Sequence, residues 1–365
     1  MSSPSIFLLG ATGYLGSEFL ILLAEAYPDY PINALVRNAT EARKEKLERI
    51  HPNLKVTEGS LDDESIIREA AIKADIVINT ASSDHWPSVK ATLDGLETSS
   101  AKRPGNPPLY IHVSGCGIIS DNARGQGPVS GKVWSDIGLD LKDCDQTNTH
   151  LPSDIPIVTA GTRKENPVRT IIIYPAQIYG VGRGIQRTTL WLRIFMDYAK
   201  TVGYAGTWGA GLNGQNTIHI RDMADICLFI FRKALVSEAD EGADGLYFSS
   251  TETTITYGEW ARKMGDHLYK KGLVKEPGAK PMPDEVVEPL GNYGWSLLGG
   301  NMLGRADRLT RMGWKPVYSD QIALLDDLPE AIDACAEDMG WTTAETQSAD
   351  APSLRYDGQN LYSER

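Results

Sequence analysis

Three glycines near the start of the chain have the spacing of a diphosphate-binding turn. Gly10, Gly13 and Gly16 form a G-x-x-G-x-x-G pattern that joins the apolar run 5–9 to a segment of good helix formers, residues 17–23. Glycines let the backbone approach phosphates without a Cβ, and a helix N-terminus presents free N–H groups to the anion. Although G-x-G-x-x-G is commoner, this position between the first strand and the first helix predicts a nucleotide cofactor. We expect it to contact Gly10, Thr12, Gly13, Tyr14, Leu15 and Gly16.

The end of the second predicted strand bears on which cofactor binds. An acidic residue about 20 positions beyond the glycines binds the ribose hydroxyls of NAD, whereas an arginine accommodates the 2′-phosphate of NADP. Here the strand ends in Val36-Arg37-Asn38 without a carboxylate, and Arg43 and Lys44 follow about one helical turn later. Because a guanidinium holds a phosphate through two parallel hydrogen bonds, the sequence favours NADP(H) over NAD(H). The alternative is that Arg37 is a solvated residue at a helix entry.

An alternation of strands and helices must position these residues. Near-continuous runs of Ile and Val, separated by helical segments, predict a parallel sheet covered on both faces. The predicted strands are residues 5–9, 32–36, 54–57, 76–80, 109–114 and 169–174, and the predicted helices include 17–23, 39–50 and 65–71. The chain is therefore predicted to be an α/β protein with a Rossmann-like, doubly wound parallel sheet.

The strand–helix alternation does not extend over the whole chain, which predicts two lobes and a tail. With 365 residues the chain exceeds the usual size of a single domain. We expect a dinucleotide-binding domain from residues 1–183 and 215–250, and a smaller C-terminal substrate lobe from 184–214 and 251–342. The polar and aperiodic residues 343–365 predict a flexible tail.

Composition argues against several classes of function. A net charge of −12 and a pI near 5.1 argue against binding to nucleic acid or to anionic membranes. The four cysteines have no C-x-x-C spacing, so neither a metal site nor a disulfide framework is predicted. No stretch approaches the roughly 20 apolar residues that cross a bilayer, and no basic region precedes the first apolar run. We expect a cytoplasmic protein that acts on a small molecule.

Seven short motifs follow one another along the chain: G-A-T-G-Y-L-G at 10–16, G-S-L-D at 59–62, N-T-A-S at 79–82, V-S-G at 113–115, Y-P-A-Q-I-Y-G at 174–180, I-H-I-R-D-M-A at 218–224 and R-M-G-W-K-P at 311–316. In this order they resemble the extended short-chain dehydrogenase/reductases, the branch that contains nucleotide-sugar epimerases and dehydratases. The resemblance covers nearly the whole chain and is strongest to fungal members described as epimerase- or dehydratase-like.

The resemblance implies further contacts with a nicotinamide cofactor. It places the adenine at Leu61 and Asp62, the nicotinamide ribose at Thr80, Ala81 and Ser82, and the nicotinamide itself at Pro175 and Ile178. It also implies a homodimer, since dimers through a helix pair of the large domain are common in that family.

The acid–base pair that this family uses for hydride transfer is missing. Family members carry Tyr-x-x-x-Lys on a helix, and the tyrosine donates or takes the substrate proton. No tyrosine lies between Ser114, at the family's catalytic-serine position, and the sixth strand. Counting back from Pro175 by the family's spacing leads instead to His150 and Asp154, where an aspartate would orient an imidazole and favour its protonated form. Ser114, His150 and Asp154 are therefore the catalytic candidates.

Other interpretations of these positions stay open. Since Pro152 favours the first turn of a helix, His150 would precede that helix and be a surface loop residue, with Asp154 a first-turn carboxylate. Gln177, Tyr179 and Trp208 are candidates to line a substrate pocket, although core packing explains aromatic residues more often.

Three functions are compatible with the sequence. The first is an NADP(H)-dependent oxidoreductase that acts on a small carbonyl or hydroxyl metabolite. The second is a non-redox isomerase, cyclase or dehydratase on the same scaffold. The third is an NADP(H)-sensing regulatory protein without catalysis. The missing tyrosine and lysine favour the last two, whereas Ser114 and the proline turn favour the first.

Overall fold

The structure, a computed structural model, describes residues 3–127, 131–341, 353–356 and 361–364. Its strands are β1 (Ile6–Leu9), β2 (Ile32–Val36), β3 (Leu54–Glu58), β4 (Ile76–Asn79), β5 (Leu109–Val113), β6 (Trp134–Ser135), β7 (Arg169–Pro175), β8 (Gln177–Tyr179), β9 (Ala205–Thr207), β10 (Gly214–His219), β11 (Leu246–Ser249), β12 (Thr254–Thr256), β13 (Ala279–Pro281), β14 (Gly304–Arg305), β15 (Ser353–Tyr356) and β16 (Leu361–Glu364). Its α-helices are α1 (Tyr14–Ala26), α2 (Glu41–Ile50), α3 (Glu64–Lys73), α4 (Trp86–Lys102), α5 (Leu151–Thr162), α6 (Leu190–Val202), α7 (Ile220–Leu235), α8 (Tyr257–Lys270), α9 (Asp284–Val287), α10 (Gly291–Gly299), α11 (Asp307–Arg311), α12 (Tyr318–Gln321) and α13 (Leu324–Asp338).

Seven strands form one parallel sheet in the order β11-β7-β5-β4-β1-β2-β3. Its central strands β1 and β4 are buried throughout, as expected where helices cover both faces of a sheet. The chain runs outward from β1 through β2 and β3, and then continues from β4 in the opposite direction. The prediction of a doubly wound α/β fold is confirmed. The crevice between the carboxyl ends of β1 and β4 is the place where such sheets bind their ligands.

The six predicted strands all occur, and each agrees with the structure to within one residue at either end. Their Ile- and Val-rich sequences carry a strong local signal because both faces are covered. The seventh strand, β11, and the long helix α4 were not predicted individually. Proline occupies the first turn of α4, where its missing N–H costs nothing, and the His85 side chain caps that turn by accepting from the Ser88 N–H.

A second apolar core lies outside the sheet. It includes residues from β8, α6, α8 and α13, together with aromatic side chains that pack edge to face. The Phe195 ring lies 5.7 Å from the Trp208 ring and 5.2 Å from the Trp260 ring, both at steep angles. Except for Tyr179 on β8, the buried residues of this core come from the segments from which the substrate lobe was predicted, and the boundaries of the two lobes stay a prediction.

The C-terminal segment 343–365 is described only at two short strands. β15 and β16 pair in antiparallel fashion, with Ser353 opposite Glu364. The rest of the predicted flexible tail lies outside the described residues. Among the helices that the structure describes, none combines the length and the apolar character needed to cross a membrane.

Candidate active site

The glycine-rich turn lies at the carboxyl end of β1 and leads directly into α1. Gly10 has a φ of +92°, and a Cβ on it would lie 2.7 Å from the backbone nitrogen of Ala81, so a side chain is excluded there. The Gly13 N–H donates to the Gly10 carbonyl at 2.9 Å and closes the turn. α1 then begins at Tyr14 without a side-chain cap. Its first N–H groups are therefore left for a ligand, which fits a diphosphate.

The other side chains of the turn point into the protein rather than toward the crevice. The Tyr14 hydroxyl donates to the Gly180 carbonyl at 2.5 Å, and the Leu15 side chain belongs to the core of the sheet. Gly16 is buried in the first turn of α1, while Thr12 is half-buried. A cofactor at this turn would therefore meet the backbone N–H groups of Tyr14 and Leu15 and not their side chains.

A cavity of about 490 Å³ lies beyond the end of β2. Its lining residues are Arg37, Asn38, Arg43, Glu58, Gly59, Ser60 and Asp63. Arg43 folds back so that Nη1 donates to the Arg37 carbonyl at 2.9 Å. The Asp63 carboxylate is engaged by the N–H and hydroxyl of Ser60, at 2.6 and 3.0 Å. Arg37 is exposed at this cavity, and its guanidinium has no hydrogen-bond partner within the described part of the chain.

The loops after β3 and β4 meet at the same edge of the sheet. The Nδ1 of His85 accepts from the Ser88 N–H, so its Nε2 carries the proton toward Asp62 Oδ1 at 3.1 Å. Asp62 is otherwise exposed, and Leu61 beside it is half-buried against the core. The Thr80 hydroxyl donates to the Leu9 carbonyl at 2.9 Å, which ties the β4 loop to β1.

The three catalytic candidates lie close together at the end of β5. Ser114 follows β5, and its hydroxyl donates to Asp154 Oδ2 at 2.8 Å, with both side chains buried. His150 precedes α5 and Asp154 lies in the first turn of that helix. The alternative of a surface loop histidine is wrong, because His150 is only 7% exposed.

The partner of His150 is Asp84 and not Asp154, which corrects the expectation from the sequence. His150 Nδ1 lies 2.7 Å from Asp84 Oδ1 and 3.0 Å from the Ser83 hydroxyl. The imidazole packs against Gly115, where a Cβ would lie 2.8 Å from Nε2. His150 has a φ of +73°, a conformation that few residues other than glycine adopt and that is held here by these contacts.

Burial and charge shift the pKa values of His150 and Asp84 in opposite directions. Burial alone would lower the pKa of His150, but the charge of Asp84 and its hydrogen bond outweigh burial and raise the pKa. Burial likewise acts to raise the pKa of Asp84, but the charge of His150 and the hydrogen bonds from His150 and Tyr293 lower it. The pair is therefore stabilised as an imidazolium and a carboxylate. Among the described residues, His150 Nε2 has no hydrogen-bond partner.

A second histidine completes the buried part of the site. His112 Nδ1 accepts from the Tyr110 hydroxyl at 2.9 Å and from the Asn79 amide at 3.2 Å. Burial, together with the charge of His150, lowers the pKa of His112 to about 3, so this ring stays neutral. Its Nε2–H faces Asp154 Oδ1 at 3.8 Å.

The carboxyl group of Asp154 has a strongly raised pKa. Its side chain is fully buried, and burial raises its pKa to about 7 despite the nearby charge of His150 and the hydrogen bond from Ser114. Asp154 is therefore poised to exchange a proton near neutral pH, in hydrogen-bond contact with Ser114.

The predicted substrate residues do not all face this site. Trp208 is wholly buried among the aromatic rings of the second core, and its place in a substrate pocket stays a prediction. Tyr179 is buried as well, and its hydroxyl donates to the Ile322 carbonyl at 2.6 Å, which makes it a packing residue. Gln177 is half-buried on β8 opposite Thr217. Pro175 ends β7, and Ile178 is half-buried against the core of the sheet.

Two residues of the site carry no signal in the sequence. Asp84 follows the 79–82 motif but is separated from His150 by 66 positions. Tyr293 donates its hydroxyl to Asp84 Oδ2 at 3.2 Å from 209 positions away. Neither position stands in a recognisable spacing pattern, so only the folded chain identifies them.

The chain is similar to proteins of known sequence and structure. The profile of the NmrA-like family matches residues 2–94. Oxidase UcsJ from Acremonium sp is 30% identical over 334 residues, which cover 86% of this chain and 93% of that protein. A dTDP-glucose 4,6-dehydratase from Bacillus anthracis, solved in complex with NAD, superposes with a TM-score of 0.61 at 15% identity and covers 93% of this chain and 98% of its own. A UDP-glucose 4-epimerase from Thermotoga maritima, solved with UDP-glucose, superposes with a TM-score of 0.60 at 14% identity. The match covers 92% of this chain and 99% of the epimerase chain. The solved structures establish the shared fold.

Proposed function

Since this chain belongs to the extended short-chain dehydrogenase/reductases, we propose that it is an NADP(H)-dependent oxidoreductase acting on a small carbonyl or hydroxyl compound. The observation that carries the proposal is the pair of His150 and Asp84 beside the carboxyl ends of β4 and β5. It offers an oriented acid–base group where the family's tyrosine and lysine are missing. The similarity to a protein named as an oxidase supports a redox role.

The bound nicotinamide would supply hydride exchange with a substrate carbon, and the protein supplies the proton and the orientation. The contact with Asp84 raises the pKa of His150, and Nε2 is free, so the protonated imidazole can donate a proton to a carbonyl oxygen. In the reverse direction, neutral His150 takes the proton of a hydroxyl group. The Ser114 hydroxyl donates its hydrogen to Asp154, so Ser114 would hold the same carbonyl oxygen only where a protonated Asp154 donates to the Ser114 oxygen instead.

The backbone around the glycine turn fits the diphosphate of such a cofactor. Gly10 is held in a left-handed conformation against Ala81, and α1 begins without a side-chain cap. The half-buried Ser82 follows Thr80 and Ala81 at the switch point of the sheet. We assign the nicotinamide ribose to this loop, next to Ser83 and Asp84.

The 2′-phosphate of NADP is assigned to the cavity beyond β2. Arg37 presents an unengaged guanidinium there, and Asp63 is engaged by Ser60. We expect Arg37→Asp to weaken NADPH binding by about 10- to 100-fold and to leave NADH binding within about threefold, because a charge-assisted hydrogen bond contributes about 1.5–3 kcal/mol. Calorimetric titration with both nucleotides measures the change.

Arg49→Asp is the matched control for this prediction. Arg49 lies on the same helix as Arg43, pairs with Glu45 at 3.3 Å and does not line the cavity, so its replacement makes the same change in net charge. Equal losses of NADPH affinity in the two variants would show that only the overall charge matters. Equal affinity of the native protein for NADH and NADPH would contradict the assignment of NADP(H).

Two experiments test the proposed function itself. Binding of NADPH stabilises the folded protein by mass action, so the melting temperature rises with its concentration if the cofactor binds. A panel of aldehydes, ketones and enones, followed at the absorbance of the reduced nicotinamide, then tests for hydride transfer. Stabilisation by NADPH with no turnover of any redox substrate would favour the non-redox enzyme or the regulatory protein. The absence of any stabilisation by NADPH or NADH would contradict a nicotinamide cofactor for all three functions.

We also propose that the protein is cytoplasmic and forms a homodimer. The four cysteines are buried and free, which is compatible with a reducing compartment. Sedimentation velocity of the full chain measures the oligomeric state, and a monomer at micromolar concentration would contradict the homodimer.

A further inference from the structure

Helix α10 connects the second lobe to the candidate acid–base pair. Tyr293 lies in the first turn of this helix, and its hydroxyl is 3.2 Å from Asp84 Oδ2. The other oxygen of the same carboxylate, Oδ1, is 2.7 Å from His150 Nδ1. Asp84 therefore bridges a phenol of the second lobe and the imidazole of the first. Nothing in the family's motifs accounts for the tyrosine.

The same helix is also fixed to the segment that carries His150. The Ser296 hydroxyl donates to Asn148 Oδ1 at 2.9 Å, two positions before His150. The Asn148 amide in turn donates to the carbonyls of Ile118 and Ser120, at 2.9 Å each. The Ser120 hydroxyl in turn donates to the Ser296 carbonyl on α10 at 2.6 Å. These buried bonds hold α10 against both sides of the site.

We propose that Tyr293 is a positioning residue that acts on His150 through Asp84: its hydrogen bond to Oδ2 takes up part of the charge of the carboxylate whose Oδ1 holds the imidazolium. Its significance for catalysis rests on the proposed function, but the contact itself does not. Through it, the proton affinity of His150 depends on the position of α10 in the second lobe. Substrate held between the lobes would then meet an acid–base group that is fully assembled only when α10 is in place.

Among the described residues, three titratable groups act directly on His150 and a fourth acts on it through Asp84. Asp84 approaches from the loop after β4, Asp154 from α5, His112 from β5, and Tyr293 acts from α10 through Asp84. Asp84 and Asp154 favour the imidazolium, while His112 is neutral. A hydrogen bond from Tyr293 takes up part of the accepting capacity of Asp84. Removing that bond lets the carboxylate hold the proton of His150 more tightly.

The test is a titration of the histidine ring carbons by NMR in Tyr293→Phe, without cofactor. Phenylalanine keeps the ring and removes only the hydroxyl. We expect the pKa of His150 to rise by about 0.5 unit, the equivalent of one modest hydrogen bond. The His150 signal is assigned by its loss in His150→Asn. Tyr204→Phe is the matched control, because the Tyr204 hydroxyl also donates at 3.2 Å, to the Pro281 carbonyl far from the site.

A double-mutant cycle shows whether the effect passes through Asp84. In an Asp84→Asn background, Tyr293→Phe should leave the pKa of His150 unchanged, because the carboxylate that transmits the effect is gone. An unchanged or lowered pKa in Tyr293→Phe alone would overturn the proposal, and so would an equal rise in the Asp84→Asn background. Neither titration depends on NADP(H) or on turnover. A failure of the proposed function can therefore be distinguished from a failure of this inference.

Discussion

His150→Asn is expected to reduce kcat by about 10²- to 10⁴-fold, the range that a positioned general acid or base contributes. Asparagine can still donate to Asp84 from roughly the position of the imidazole Nδ1, but it cannot carry a proton to the substrate. It also tolerates a positive φ better than most residues, which suits the φ of +73° at this position. Single-turnover kinetics on a substrate found in the carbonyl panel measures the loss.

His267→Gln is the matched control for this prediction. His267 Nε2 lies 2.7 Å from Asp333 Oδ1, so it forms an imidazole–carboxylate pair with the same separation, but on α8 and α13. Its replacement should leave kcat within about twofold, because the ring is remote from the site. If His150→Asn retained the native kcat, His150 would not transfer the proton.

The pH dependence of the reaction tests whether protonated His150 is the proton donor in carbonyl reduction. The contact with Asp84 raises the pKa of His150, so the acid form persists to higher pH than in a free imidazole. Carbonyl reduction should therefore be constant at low pH and fall as pH rises through that pKa. In Asp84→Asn the lowering effect of burial prevails, and the fall should move to lower pH. An identical profile in the two proteins would contradict the assignment of Asp84 as the partner.

Asp154→Asn is expected to stabilise the protein at pH 8 by up to about 4 kcal/mol and to have little effect at pH 4. Burial raises the pKa of Asp154 from 3.8 in the unfolded chain to about 7 in the folded protein. Between these values the folded state keeps a proton that the unfolded state releases. The free energy of unfolding therefore falls by about 1.4 kcal/mol for each pH unit. The amide side chain in Asp154→Asn does not titrate, so it removes this contribution to the pH dependence of the free energy of unfolding.

Urea unfolding of both proteins at pH 4, 6 and 8 measures this difference. The asparagine amide can accept from the Nε2–H of His112 and donate to the Ser114 hydroxyl, so the variant keeps partners in the buried site. Asp29→Asn is the control, since it removes the same charge from an exposed position. A stabilisation that does not change with pH would show that Asp154 is not protonated in the folded protein near neutrality.

The loss of Tyr-x-x-x-Lys changes where the acid–base groups come from. In the family's motif both groups lie on one helix, four residues apart, so a single element fixes their separation. Here His150 precedes α5, whereas Asp84 follows β4 and Tyr293 lies on α10. The separation of His150, the proposed proton-transferring group, from its partner therefore depends on the packing of three elements. This makes the site sensitive to the second lobe.

Much of the larger lobe could be predicted from the sequence. Gly10 and Gly16, the apolar strands and the motifs that follow them are local features, and each reflects a constraint within a few positions of the chain. Burial of both faces of a parallel sheet favours continuous apolar runs, and β1, β4 and β7 have such runs in their sequences. The position of Ser114 at the end of β5 followed from the same pattern.

The sequence by itself determined the doubly wound fold and the positions of His150 and Asp154 at the start of a helix, and it predicted where a diphosphate would bind. Only the tertiary structure decided that Asp84 and not Asp154 holds His150, that Tyr293 contacts Asp84, and that Trp208 belongs to the second core. Backbone periodicity and turn geometry act over a few residues and leave a pattern in the chain. Contacts across 66 or 209 positions arise from the packing of separate elements, and that packing leaves no spacing pattern in a single sequence.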